Sequence, residues 1–187
     1  MAKKFEKIEP VHQTFIEEQH LFFTATAAPE GRINVSPKGM DSLRVLGPNR
    51  VIWLNLTGSG NETAGHLIES PRVTLMWCSF AKRPLILRLY GTARTIHHTD
   101  RDWAEMVGHF GTPRSARQVF DMQVEMVQTS CGYAVPFMEY TAERDTMQRW
   151  IDDKSDAEIE TYWSERNSVT IDGKPTGIEA GNLGQNI

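Results

Sequence analysis

The chain has 187 residues, 40% of them hydrophobic and 24% charged, with a formal net charge of -4. That length sets one domain with room for a small appendage, and that composition buries a core rather than staying disordered. The acidic balance argues against nucleic-acid and anionic-membrane partners, the two cysteines cannot build a disulfide framework, and no apolar run is long enough to span a membrane.

The opening MAKKFEK has basic residues with no apolar segment behind them, so the expectation is a cytoplasmic protein with reduced thiols. Pro10 opens a short helix that runs to about Gln19, with Phe15 and Ile16 on its apolar side. Residues 21–28 (LFFTATAA) and 32–36 (RINVS) flank the turn signal Pro29-Glu30-Gly31 and read as a β-hairpin. Residues 43–46 and 50–56 form a second pair, split by Gly47-Pro48-Asn49. A helix follows over 61–70: Asn61 can cap it, Ala64, Leu67 and Ile68 fall at helical spacing, and Pro71 stops it.

Residues 72–78 (RVTLMWC) and 85–96 (LILRLYGTARTI) read as long strands, with Gly91 marking a bend or bulge in the second. Thr99 or Asp100 caps another helix, in which Trp103, Met106, Val107 and Phe110 share a face before Gly111 ends it. Residues 119–129 fit a strand best. Ser155 and Glu158 make a capping box ahead of Ile159, Tyr162 and Trp163. From Ser168 the tail is rich in Gly, Asn and Pro and reads as irregular. Hairpins come first and helices are inserted between pairs, without βαβ alternation. This order favours a mainly β (α+β) antiparallel barrel of six strands with peripheral helices.

Four segments could carry chemistry. The first, RINVSPKG at 32–39, ends a strand with a hydroxyl at Ser36, a cation at Lys38 and an open backbone at Gly39. These suit a phosphate, and a solvated turn is the alternative. The second, LTGSGNETA at 56–64, runs a Gly-rich loop into a helix start, where backbone N–H groups favour an anion. Ser59, Asn61 and Thr63 add donors, while Glu62 repels phosphate unless it points away. It matches neither a Walker loop nor the dinucleotide fingerprint, and an ordinary capped helix is the alternative. The third is Arg88, a lone cation in an apolar strand, with Ile86 and Tyr90 on its face. It either faces solvent or lines a ligand site. The fourth is QTSCGYAVP at 128–136, where Cys131 reads as a small packed cysteine rather than a reactive one. The histidines show no metal-ligand spacing, so no metal is expected, and no side chain demands the role of general acid or base.

Together these segments resemble the pyridoxamine 5'-phosphate oxidase-like family, the FMN-binding split β-barrels. The resemblance runs from about Phe22 to Thr95, with a weaker extension to Pro136. It rests on FFTATAAPEGRINVSPKG, on RVIWLNLTGSGNETAGHL, and on RVTLMWCSF followed by PLILRLYGTARTI. SCGYAVP and the late IDGKPTG look like marks of an uncharacterised bacterial branch.

The resemblance implies a six-stranded split barrel over 1–140, with a helical and irregular extension over 141–187 packed on it. It implies a homodimer with FMN at the interface. Arg32, Val35, Ser36 and Lys38 would hold one side of the phosphate region, and Ser59, Asn61 and Thr63 the other. Leu54 and Asn55 would lie by the flavin ring, and Arg88 would reach in. Two features depart from the true oxidase. Glu62-Thr63 stands where the oxidase has an Arg-Lys pair, and its C-terminal substrate-binding Arg and His pattern is absent. The expected activity is an FMN-dependent oxidoreductase that uses a small-molecule electron donor and acceptor. The alternatives are a non-catalytic flavin-binding or redox-sensing module, a haem- or deazaflavin-binding barrel in which His66, His97 or His98 would serve haem, and a purely structural dimer.

Overall fold

The computed structural model describes residues 2–178; residues 179–187, the end of the expected irregular tail, lie outside the described residues. The strands are β1 (Lys3–Phe5), β2 (Phe22–Thr26), β3 (Asn34–Lys38), β4 (Leu43–Gly47), β5 (Arg50–Leu56), β6 (Arg72–Cys78), β7 (Ile86–Ile96) and β8 (Ala116–Ser130). The helices are α1 (Pro10–Glu17), α2 (Glu62–Glu69), α3 (Trp103–Gly108), α4 (Thr146–Asp152) and α5 (Asp156–Asn167). All strand pairs are antiparallel, in the order β3-β2-β6-β7-β8-β5-β4, with β1 added on β8.

The described sheet has eight strands where six were expected. The short β1 lies in a charged run with no alternation to betray it, and it exists because β8 is long enough to offer it an edge. β8 starts at Ala116, not Val119, and β3 starts at Asn34, not Arg32. Helix α4 was not expected; its seven residues carry too few apolar positions for a periodic signal. At α3 the N-cap position falls on Asp102, while the Asp100 carboxylate is taken by the His97 N–H at 2.8 Å.

Strand alternation builds the core. In β7 the buried Leu87 and Leu89 alternate with half-exposed Ile86, Arg88 and Tyr90. Leu75 and Trp77 of β6, Val51 and Trp53 of β5, and Phe120 and Met122 of β8 face the same interior. Burying each such side chain contributes about 1.5–3 kcal/mol. The opposite faces of β5 and β8 present Ile52, Leu54 and Val119, which pack with Met106 and Val107 of α3. A third cluster joins Ile151 of α4, Ile159 and Trp163 of α5, and Ile178. The Trp163 indole donates to Thr57 Oγ1 at 2.9 Å, tying α5 to the end of β5.

Gly91 is the bulge that the sequence marks. The β7–β8 register shifts there, and a side chain at Gly91 would run into the Gln123 carbonyl. Cys131 is a correction, since it is exposed; Gly132 takes the packed position against the Leu85 backbone instead.

Candidate functional site

Strands β3 and β4 are the two ends of the sheet path, so the curled sheet leaves a split between them. On β3, Asn34, Ser36 and Lys38 pair with the buried Thr26, Thr24 and Phe22 of β2, so their side chains share the inward face. Val35 and Pro37 therefore point outward.

Lys38 ends β3, and its ammonium donates to Asn55 Oδ1 at 3.3 Å. Asn55 is buried on β5; its amide donates to Gln118 Oε1 at 2.8 Å and to Asn61 Oδ1 at 3.1 Å. Asn61 in turn donates to the Asn167 carbonyl at 3.2 Å. It stands at the α2 N-cap but makes no side-chain cap bond, because its amide is spent on these partners. Beside Gln118 sits Arg117, only 2% exposed. Its guanidinium donates to the carbonyls of Gly58 at 3.3 Å and Gly60 at 2.9 Å, so the Gly-rich loop wraps a cation.

This cluster is short of negative charge. Among the described residues, no carboxylate forms an ion pair with Lys38 or Arg117. Arg117 Nε and Gln118 Nε2 are buried without an acceptor. Burying a guanidinium against carbonyl dipoles alone is costly, and an incoming anion relieves that cost. Burial and the neighbouring Arg117 push the Lys38 ammonium down to about 8. Burial brings Arg117 itself to about 10, so it stays charged at neutral pH.

A second group adjoins the first. Ser36 donates to Asn34 Oδ1 at 3.1 Å, and Asn34 donates to Thr63 Oγ1 at 3.4 Å. Thr26 Oγ1 lies 3.5 Å from Thr63 Oγ1 and 3.1 Å from His66 Nδ1. Glu62 points away from the loop, with both carboxylate oxygens accepting from the Ile171 N–H at 3.1 Å. Ser59 is exposed on the loop.

The remaining expected residues lie apart. Arg32 is paired with Asp172: its backbone N–H donates to Oδ2 at 2.7 Å and its guanidinium binds the same carboxylate. The Arg32 N–H holds that carboxyl below the usual range. Leu54 faces the α3 cluster, away from Asn55. Arg88 donates to Ser130 Oγ at 3.3 Å and lies on the outward face, as Val35 does. Lys38, Asn55, Asn61, Ser36 and Thr63 thus come together inside the split, while Val35 and Arg88 share the outside.

Arg117, Gln118, His66 and Asn167 were not anticipated. The signal for Arg117 existed. It is a lone cation before an apolar run (ARQVFDM), the same pattern that singles out Arg88, but it fell before the expected strand start. Asn167 gave no signal, because its place follows from how α5 docks. Of the histidines, His66 is buried on Thr26, and His98 stacks on Trp103 at 3.9 Å with Nε2 2.9 Å from the Ala116 carbonyl. Burial lowers the pKa of both His97 and His98. Among the described residues, no group of three or more His, Cys, Asp or Glu could hold a metal, and no helix is long and apolar enough to cross a membrane.

The family model for pyridoxamine 5'-phosphate oxidase matches residues 8–131. That span takes in β2 through β8 and the whole split cluster except Asn167, so the chain belongs to the pyridoxamine 5'-phosphate oxidase family. Among curated relatives it is 42% identical over 133 residues to the pyridoxamine 5'-phosphate oxidase family protein ustO of Aspergillus flavus. The match covers 68% of this chain and 53% of that protein, so the chain spans about half the relative's length. That relative is fungal, where a bacterial branch was expected. HupZ of Group A Streptococcus shares the fold at a TM-score of 0.53 and 22% identity, covering 64% of this chain and 91% of that one. HutZ, the haem storage protein of Vibrio cholerae, does so at a TM-score of 0.50 and 19% identity, covering 68% and 98%.

Proposed function

We propose that this protein binds FMN at the split of its barrel and acts as an FMN-dependent oxidoreductase with a small-molecule electron donor and acceptor. The observation that carries the reading is the Lys38–Arg117 pair: two clustered cations with no carboxylate partner among the described residues, beside the orphaned Gln118 Nε2. A phosphate monoester supplies the charge and the acceptors that this cluster lacks. The donors present therefore fit the phosphate end of FMN. Glu62, the acid that stood against this, is turned onto Ile171.

Lys38 and Arg117 would neutralise the phosphate. Asn55 and Asn61 would hold the loop in place, and Ser36 and Thr63 would offer hydroxyls. When bound, FMN supplies the electron-transfer chemistry, while the chain binds, orients and tunes it. Val35 and Arg88 lie on the outward face, out of reach of the same split. In a homodimer they would face the flavin region of a second copy. Residues 1–140 would form the flavin-binding barrel and 141–187 the extension that closes over it, in a cytoplasmic protein.

The test is a titration of the purified protein with FMN and with riboflavin, followed by flavin fluorescence. FMN binds at micromolar concentration, and Lys38→Ala weakens it by about 1.5–3 kcal/mol, roughly ten- to a hundredfold, because a charged hydrogen bond is lost. Riboflavin, which lacks the phosphate, changes less than threefold. Equal losses for both ligands would remove Lys38 from the phosphate site, and no FMN binding at all would sink the proposal.

A further inference from the structure

The Gly-rich loop at 57–61 is the part of the anion cluster that the barrel holds least. Gly58 and Gly60 give it two positions without side chains of their own to fix the backbone. The barrel fixes its start: the Thr57 N–H and hydroxyl both donate to the Ser115 carbonyl, at 2.8 and 3.0 Å. Arg117 sits on the Gly58 and Gly60 carbonyls, so its guanidinium is aimed only as well as the loop is fixed.

Past Thr57 the loop is held from outside the barrel. Asn167, the last residue of α5, is fully buried. Its side-chain amide donates to the Gly58 carbonyl at 3.0 Å, the same oxygen that takes Arg117. Its own carbonyl lies in the last turn of the helix, where no further helical N–H serves it. That carbonyl accepts from the Asn61 amide at 3.2 Å and from the Thr176 hydroxyl. One residue thus pins both ends of the stretch from 58 to 61. Helix α5 is anchored in turn by Trp163 on Thr57 and by the packing of Ile159 and Trp163 with Ile151 and Ile178. Asn167 lies beyond position 131, where the family match ends, so the shared barrel does not supply this pin.

The Asn167 side chain is spent unevenly. Its Oδ1 is buried with no partner, which leaves an acceptor unmet. An apolar side chain of similar size would pack there without that penalty. What the amide adds is a donor on Gly58, the carbonyl on which the buried Arg117 also rests.

We infer that Asn167 is a positioning residue for the phosphate site: through Gly58 and Asn61 it sets the loop that aims the Arg117 guanidinium at the anion. The inference rests on the proposed phosphate site and adds that the extension completes it.

Two anions test it on the full chain: FMN, followed by flavin fluorescence, and inorganic phosphate, followed by the rise it causes in the thermal midpoint. Asn167→Ala weakens each by about three- to tenfold, the loss of one hydrogen bond, and changes riboflavin less than about twofold. Asn167→Asp keeps the size, loses the donor and sets a carboxylate beside Arg117, so it weakens both anions by about tenfold or more. Ile159→Val loosens the same extension without touching the loop. It lowers the midpoint yet leaves all three affinities within about twofold. In the wild type, saturating phosphate slows amide hydrogen exchange across both 58–61 and the end of α5, a readout that serves even if the Asn167 variants fail to fold.

Phosphate affinity unchanged in Asn167→Ala overturns the inference, and so does an equal loss for riboflavin. An Ile159→Val loss as large as that of Asn167→Ala also overturns it, since the stability of the extension would then explain both. Protection confined to 58–61 does the same. A wild type that takes phosphate but not FMN, with the phosphate weakened in Asn167→Ala, removes the flavin proposal and leaves this one standing. FMN binding that Asn167→Ala leaves unaltered does the reverse, and a wild type that takes neither anion removes both.

Discussion

Lys38 shows how one side chain's surroundings set its chemistry. Burial and the Arg117 guanidinium bring its pKa from an ordinary 10.5 down to about 8. The sign of the consequence follows by linkage. Between about pH 8 and 10.5 the folded lysine is neutral while the unfolded one is still protonated, so unfolding takes up a proton and the ligand-free protein gains stability as pH rises through that window. Phosphate binding runs the other way, since it needs the charged form. FMN affinity is therefore expected to fall about twofold from pH 7 to 8 and by up to about tenfold by pH 9, where a phosphate monoester keeps its charge. Riboflavin affinity stays flat across the same range, and Lys38→Met abolishes the FMN slope. An FMN affinity independent of pH in the wild type would mean that the phosphate does not contact this ammonium. Lys38 was legible in RINVSPKG as a cation at a strand end. Its partner Arg117 was legible only in kind, because nothing in a linear chain brings position 117 to position 38.

The elements followed their patterns where the pattern was long. In β7, the residues from Ile86 to Arg94 alternate between partly exposed and buried, and Gly91 announced the bulge that its missing side chain permits. Gly91→Val forces a side chain onto the Gln123 carbonyl and is expected to cost about 1–3 kcal/mol, read as a lowered urea midpoint with an unchanged slope. A neutral effect would mean that the β7–β8 register can slip to absorb it. Short elements escaped. β1 has three residues and α4 seven, too few for either period to show. Asn61 is a subtler case. It occupies the cap position that its residue type favours, yet its amide bridges Asn55 and the Asn167 carbonyl, because buried tertiary partners outbid a local backbone bond.

At the scale of the whole molecule, the outward sheet face places Val35 at 61% exposure on the same side as Arg88. If this face joins two copies, as proposed, then Val35→Glu turns a dimer into a monomer at micromolar concentration without loss of secondary structure, measured by light scattering after size exclusion and by circular dichroism. A monomeric wild type would remove the dimer, and with it the role given to Arg88.

Periodicity, turn residues and caps are local, and they were enough to determine the antiparallel β class, the hairpin order and two segments suited to an anion. What only the tertiary structure decided is which of those residues meet. The curl of the sheet brings the end of β3 across the split to β5 and β8, which joins Lys38 to Asn55 and sets Arg117 beside them. The docking of α5 and the residues after it draws Arg32 onto Asp172 and Glu62 onto Ile171, contacts spanning 140 and 109 positions. Such pairings depend on how faces pack in three dimensions, and the order of residues along the chain does not carry that distance.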